Sequence, residues 1–295
     1  MKASYDRAAE DLGNIVGLEH VNIRVPDQHL ATLFYVTGLG LTRDPYLVTG
    51  VVNMWINAGR SQFHLPIGEA QRMRGQVGLV VPDIDALSLR LDTVREPLAG
   101  TAFDYTMRGR AAKRYVDVTC PWGNRIRCHG PDRRFGRIVL GMPYLAFDVA
   151  EGTADGIARF YREIMLAPAA VETVNRRPAA RVSAGPGQEL LFRETKTPTA
   201  PYDGHHIQVY VADFSQPHAR LQTLGLVSEE SNQHQYRFLD IADPETGEPL
   251  FRLEHEVRSM THPLYARPLI NRNPEQTNNA FAPGHEDHAW AMPYL

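Results

Sequence analysis

Apolar and polar residues alternate strictly in four short stretches: HVNIRVPD at 20–27, QVGLVVPD at 76–83, YLAFDVAE at 144–151 and HIQVYVAD at 206–213. In each, positions 2, 4 and 6 are apolar and position 8 is acidic. Alternation with a period of two predicts a strand with one face on a core. An acidic residue just beyond it predicts a turn or a helix N-cap. The segments that follow, HLATLFYVTGLGL, IDALSLRLDTV, ADGIARFYREIML and SQPHARLQTLGLV, are amphipathic and of helical length. Behind each helix lie shorter strand-like pieces, such as VVNMWIN and SQFHLP in the first case and QYRFLDI and PLFRLEHEV in the last. The four octets begin 56, 68 and 62 residues apart, so the chain reads as a βαβββ unit repeated four times.

The same alternation assigns faces. If positions 2, 4 and 6 pack on the helix, position 1 faces the other way, and there stand His20, Gln76, Tyr144 and His206. His205 has the opposite parity to His206 and is expected to point away from any site they would share. On the strands that end each unit, His64 in SQFHLP and Arg127 in GNRIRC fall on the same inward side. His234 and Tyr236 open a strand of the fourth unit, where acid–base work and a plain polar strand entrance are both open readings. For His206 the alternative is a hydrogen-bonded barrel histidine. For Tyr144 the choices are a ligand, a substrate hydrogen-bond donor or an amphipathic core residue.

Composition narrows the classes without choosing among them. The chain has 295 residues, 43% hydrophobic and 22% charged, with a formal net charge of -3. These are the proportions of a globular protein, and the mixed charge argues against a nucleic-acid surface. No apolar run approaches the ~20 residues that span a bilayer. The first residues lack the apolar core of a signal peptide, so a cytoplasmic location is expected. Cys120 and Cys128 form neither a disulfide framework nor a CxxC site and are expected to be reduced.

GLEHVNIRVPD and CPWGNRIR are typical first-strand and last-strand motifs of the vicinal oxygen chelate superfamily, and residues 17–257 resemble it. That group includes glyoxalase I, bleomycin-resistance proteins and extradiol dioxygenases. The resemblance implies an α+β fold of four βαβββ modules paired into two incompletely closed β-barrel domains. The expected division is an N-terminal extension 1–16, domains at 17–135 and 136–257, and a C-terminal extension 258–295. It implies a metal site in the concavity between paired modules, with position 1 supplying ligands. EPLFRLEHEV resembles the last strand of hydroxyphenylpyruvate dioxygenases, where the Glu after LF ligates iron, and this points to Glu254. On the resemblance, the metal set is His206, Glu254 and Tyr144, with a weaker set of His20, His64 and Gln76 in the other domain. Glu254 has a structural alternative, pairing with Arg252 or Arg258. Tyr144, His234 and Tyr236 are the catalytic candidates, and Arg127 and Arg252 the substrate-binding ones.

The implied activity is that of a dioxygenase with a divalent metal, Fe(II) first and Mn(II) or Zn(II) as alternatives. It would act on a small substrate with adjacent oxygens, a catechol or a 2-keto acid, with O2 as co-substrate. A glyoxalase- or epimerase-like enzyme and a metal-free resistance-type binder are the competing expectations, and a homo-oligomer is expected. His262, Tyr265, Arg267 and Asn271 are expected to cover the cup or make a subunit contact. His285 and His288 in the tail are a remote source of a further metal ligand, and Trp290 and Tyr294 are expected to dock that tail.

Overall fold

The computed structural model describes residues 5–47, 52–110, 113–272 and 291–292. Its elements follow the repeat. The first module is β1 (Ile15–Asn22), helix α1 (Gln28–Ala31) running into a π-helical segment Thr32–Gly38, then β2 (Thr42–Arg43), β3 (Asn53–Ala58) and β4 (Ser61–Pro66). The second is β5 (Gly75–Val80), α2 (Ile84–Thr93), β6 (Asp104–Arg108), β7 (Tyr115–Thr119) and β8 (Arg125–His129). The third is β9 (Gly141–Ala150), α3 (Ala154–Glu163), β10 (Ala169–Val174), β11 (Arg177–Ser183) and β12 (Glu189–Thr195). The fourth is β13 (His206–Val211), α4 (Ser215–Thr223), β14 (Val227–Asn232), β15 (Gln235–Ala242) and β16 (Pro249–Ser259). Two of the acidic octet ends act as foreseen: Asp27 and Asp83 each cap their helix by accepting from two backbone N–H groups.

The sheets pair the modules in an unexpected order. One eight-stranded sheet runs β14-β15-β16-β13-β1-β4-β3-β2, and the other β10-β11-β12-β9-β5-β8-β7-β6. Modules one and four therefore share a sheet, as do two and three. Neither sheet closes on itself, so the α+β architecture of two open barrels holds. The division at 17–135 and 136–257 does not match the hydrogen bonding, because each of those halves gives one module to each sheet. A repeat reveals the units, but four first strands of one pattern do not reveal which pairs form a seam. Here the seams are antiparallel, β1 with β13 and β5 with β9.

Alternation places the core as expected. Leu18, Val21 and Ile23 from the first octet region, and Ile207, Val209 and Val211 from the fourth, are all at most 1% exposed. They pack with Phe34, Phe63, Phe238 and Leu253 in one continuous apolar cluster. Burying one such side chain contributes ~1.5–3 kcal/mol, so the helix-facing positions hold the register. The two sheets touch: Tyr161 on α3 and His255 on β16 hydrogen-bond at 2.6 Å, and Phe147 packs on Phe251. Gln188 bridges the sheets by bonding Leu18 backbone, the Ser61 hydroxyl and the Met142 carbonyl. Among the described residues, no helix is long and apolar enough to cross a membrane.

Candidate metal centre

The concave face of the first sheet is built around its seam. Across it, His20 stands opposite Gln208 and Asn22 opposite His206. On one flank β4 brings His64 opposite Asn22, and on the other β16 brings Glu254 opposite His206. Positions that the division at residue 135 put in two separate cups therefore meet in one. His20, His64 and His206 each offer a ring nitrogen, and the three lie within 4.8 Å of one another. Trp55 stacks on the His64 ring at 3.7 Å and meets His20 edge-on, sealing the cluster from one side.

All three imidazoles are neutral. Burial drives the His20 and His206 pKa values far below the ordinary value, and Arg237 adds to both. His64 is pushed down to about 2, first by burial and then by His20, Arg258 and Arg237. Neutral imidazole is the state in which histidine ligates a metal. His20 Nδ1 lies 3.1 Å from the Glu19 carboxylate, while its Nε2 is buried without a hydrogen-bond partner. His206 Nε2 is likewise buried and unpartnered. His64 is held at both nitrogens, with Asn22 at Nδ1 and Asn53 at Nε2, each at 2.6 Å. A cation taken at one nitrogen leaves the other on its asparagine.

The carboxylates beside this cluster are restrained by arginine. Glu254 Oε1 lies 3.4 Å from His206 Nδ1, and Glu256 lies 3.8 Å from its Nε2. Arg237 on β15 bonds both glutamates, and Arg258 bonds Glu256 on its other side and reaches Glu19 at 3.0 Å. Burial raises the Glu256 carboxyl while Arg258 and Arg237 oppose the rise. Tyr210 donates to Glu19 at 3.1 Å. Gln208, on the same face of β13 as His206, is fully buried with neither amide atom hydrogen-bonded.

The structure brings His20, His64, His206 and Glu254 together and disperses the other sequence candidates. Gln76 and Tyr144 lie on the second sheet, where they belong to the β5–β9 seam. Tyr144 bonds His129 there, so it is not beside His206 and Glu254 as a third ligand. Arg127 is paired with Asp117 on that same sheet. Tyr236 has the helix-facing parity and packs on Phe214 and His218, so its phenol does not enter the cup. His234 is half-buried at the β14–β15 turn, near Thr261. Arg252 pairs with Asp240, is 54% exposed and lies at the outer end of β16. His205 turns to Asp203, its Nδ1 at 2.6 Å, as its parity foretold, yet it is buried rather than outside.

Three polar groups of the cup escaped sequence reasoning, Glu19, Gln208 and Arg237, and a fourth, Glu256, shares a face with Glu254 by alternation alone. Gln208, Arg237 and Glu256 have cup-facing parity in their strands, which is the signal that marks them. The segment after β16 does cross this face. Tyr265 packs on Tyr210, Arg267 bonds Asp44, and Asn271 bonds Gly59 backbone. His285, His288, Trp290 and Tyr294 lie outside the described residues.

No protein-family model matches this chain, and no curated protein is matched. Solved structures are similar in fold. A Bacillus subtilis protein named only as a "putative dioxygenase" aligns with TM-score 0.56 at 16% identity, over 84% of this chain and 86% of its own. Glyoxalase I from Zea mays aligns with TM-score 0.56 at 11% identity, over 83% of this chain and 92% of its own. At such identities the likeness establishes the fold that the vicinal oxygen chelate resemblance implied.

Proposed function

We propose that the chain is a metal-dependent enzyme, with His20, His64 and His206 as ligands of a divalent cation, Fe(II) by first reading. Its substrate is small and binds through two adjacent oxygens, as a catechol or a 2-keto acid does. The carrying observation is the convergence of three neutral imidazoles, two of them with buried, unpartnered nitrogens. The donor set fits such an ion: imidazole suits iron and zinc, and a carboxylate stands close by. A bound divalent ion supplies Lewis acidity and, when it is iron, electron transfer to O2.

The protein's own groups divide the remaining work. Glu19 fixes the His20 tautomer, so that Nε2 faces the site. Gln208 offers a donor and an acceptor for substrate oxygens, which would satisfy its amide. Trp55 and the segment carrying Tyr265 exclude water. Arg237 holds Glu254 and Glu256 in place by bonding both.

A second reading has its own observation. A glyoxalase- or epimerase-like reaction needs a carboxylate base beside the metal, and Glu254 stands 3.4 Å from His206. In that case Glu254 would be the base that accepts a proton from a substrate carbon, and a metal held by the three histidines would supply the Lewis acidity.

Metal analysis of protein purified without chelator tests the common premise. About one equivalent is expected, falling at least tenfold in His206→Ala. Less than a tenth of an equivalent in both proteins would leave a metal-free binder. Oxygen uptake by the iron-loaded enzyme, with a panel of catechols and 2-keto acids, separates the two reactions. Only the dioxygenase consumes O2.

A further inference from the structure

The second sheet repeats the geometry of the first with other residues, and lines a half-open cavity of about 290 Å³. We infer that this cavity is a separate binding site for a small carboxylate with a short apolar body. Three arginines, Arg127, Arg134 and Arg181, line it with one carboxylate, Glu189; Arg181 pairs with Glu189 and Glu172, Arg127 with Asp117 and Arg134 with Asp132. Phe135, Pro143 and Leu191 supply the apolar wall. At ~30 Å³ per water, a ligand displacing roughly ten waters fits.

The floor of the site is a donor chain that ends at Tyr144. Arg134 Nη2 lies 3.1 Å from His129 Nδ1. A guanidinium only donates, so Nδ1 carries the lone pair. Burial, with Arg134 and Arg127 beside it, holds the His129 pKa down to about 4, so near neutral pH its proton sits on Nε2. Nε2–H therefore donates to the Tyr144 hydroxyl, 2.9 Å away. That leaves the phenolic proton unused by this bond, and burial lifts the phenol to about 12, so it stays a donor. The position of the ring is itself built in: a Cβ at Gly78 would fall 2.4 Å from the Tyr144 ring. Arg127 spends Nε and Nη2 on Asp117, which leaves its third nitrogen outside that pair. A phenol donor beside arginine forks is the chemistry that holds a carboxylate. Among the described residues, no group of three metal-ligating side chains converges in this cup.

Calorimetric titration with benzoate, which has a carboxylate and an apolar ring, tests the inference. Saturable one-to-one binding is expected. Tyr144→Phe keeps the ring over Gly78 and should weaken it ~10-fold, the worth of one hydrogen bond to a charged group. Arg134→Met, at an exposed guanidinium, should weaken it by a similar factor. His206→Ala should leave it unchanged. No saturable binding, equal affinity in Tyr144→Phe, or loss in His206→Ala would each overturn the site. Tighter binding of inorganic phosphate than of benzoate would overturn the carboxylate assignment.

Discussion

Laid over one another by register, the two sheets compare position for position. His20 of the first corresponds to Gln76 of the second, and His206 to Tyr144, the position-1 residues at each seam. His64, opposite Asn22, corresponds to Arg127, opposite Gly78. Glu254, opposite His206, corresponds to Glu189, opposite Tyr144. One backbone frame thus carries two chemistries. Three imidazoles gather in the first cup, while a phenol and arginines gather in the second. In each cup the carboxylate at this position is pinned by an arginine of the neighbouring strand, Glu254 by Arg237 and Glu189 by Arg181. The frame fixes where side chains converge, and the residue types alone decide whether a cation or an anion is welcome there.

Arg237 is the residue whose loss should change the first cup most. It offsets the charge of two glutamates, one of which, Glu256, is only 4% exposed. Breaking a buried ion pair by removing one partner costs ~3–5 kcal/mol, because the other charge is left uncompensated. Glu256 keeps Arg258 on its other side, so Arg237→Met should lower the stability of the metal-free protein by about the lower end of that range in urea unfolding. It also releases two carboxylates beside three imidazoles, so the metal should bind more tightly. Added metal should therefore recover more stability in the variant than in the parent. Arg181→Met in the second cup, where Glu189 is 37% exposed, should cost well under half as much. Equal losses from the two variants would break the contrast between the cups.

Acid should also distinguish the cups, by range. His64 is held down to about 2 and His129 to about 4, both mainly by burial. In the unfolded chain both titrate near 6.5. The folded pKa is the lower one, so between the two values the unfolded state binds the extra proton and stability rises with pH. The contribution is complete above pH ~6.5 and is lost as pH falls toward the folded pKa. The loss is up to about 1.4 kcal/mol per pH unit for each histidine. Stability measured from pH 7.5 to 4.5 should therefore fall less steeply in His64→Gln and in His129→Gln. Below pH 4 only the His64 substitution should still flatten the curve. A slope unchanged by either substitution would mean that neither imidazole is kept neutral.

Much of this was legible in the octets, and the part that was not has physical causes. Alternation gave the strands, the helix-facing core and the inward direction of His20, His64, His206 and Arg127, because side-chain direction in a strand is local. It gave Glu254 only with the help of resemblance. What it could not give is pairing. A seam forms between distant strands, and HVNIRVPD and HIQVYVAD offer the same apolar face to any partner. Dividing the chain at residue 135 therefore separated His20 and His64 from His206 and put Tyr144 where it does not stand. Arg237 escaped for a different reason. Its role depends on two glutamates of the adjacent strand, Glu256 opposite it and Glu254 two residues earlier, a relation set by register rather than by any motif.

Glu19 shows a further limit of reading by parity. Neighbours on a regular strand face opposite sides, so Glu19 and His20 should not meet. The β1–β13 register breaks between Leu18 and His20, where Leu18 faces Val209 and His20 faces Gln208, leaving Glu19 as an extra residue. Such a bulge re-aims side chains. Here it turns the Glu19 carboxylate toward His20 Nδ1 and into the buried bonds from Arg258 and Tyr210. A carboxylate on the far nitrogen of a ligating histidine fixes ring and tautomer, and losing it costs ~10–100-fold in metal affinity. Glu19→Gln should weaken metal binding by that factor while leaving three ligands and the stoichiometry at saturation intact. The second cup has no counterpart pair, since Gly75 precedes Gln76. Benzoate affinity there should accordingly be the same in Glu19→Gln as in the parent. An unchanged metal affinity would mean that Glu19 serves only to neutralise Arg258, and that the bulge is a packing feature.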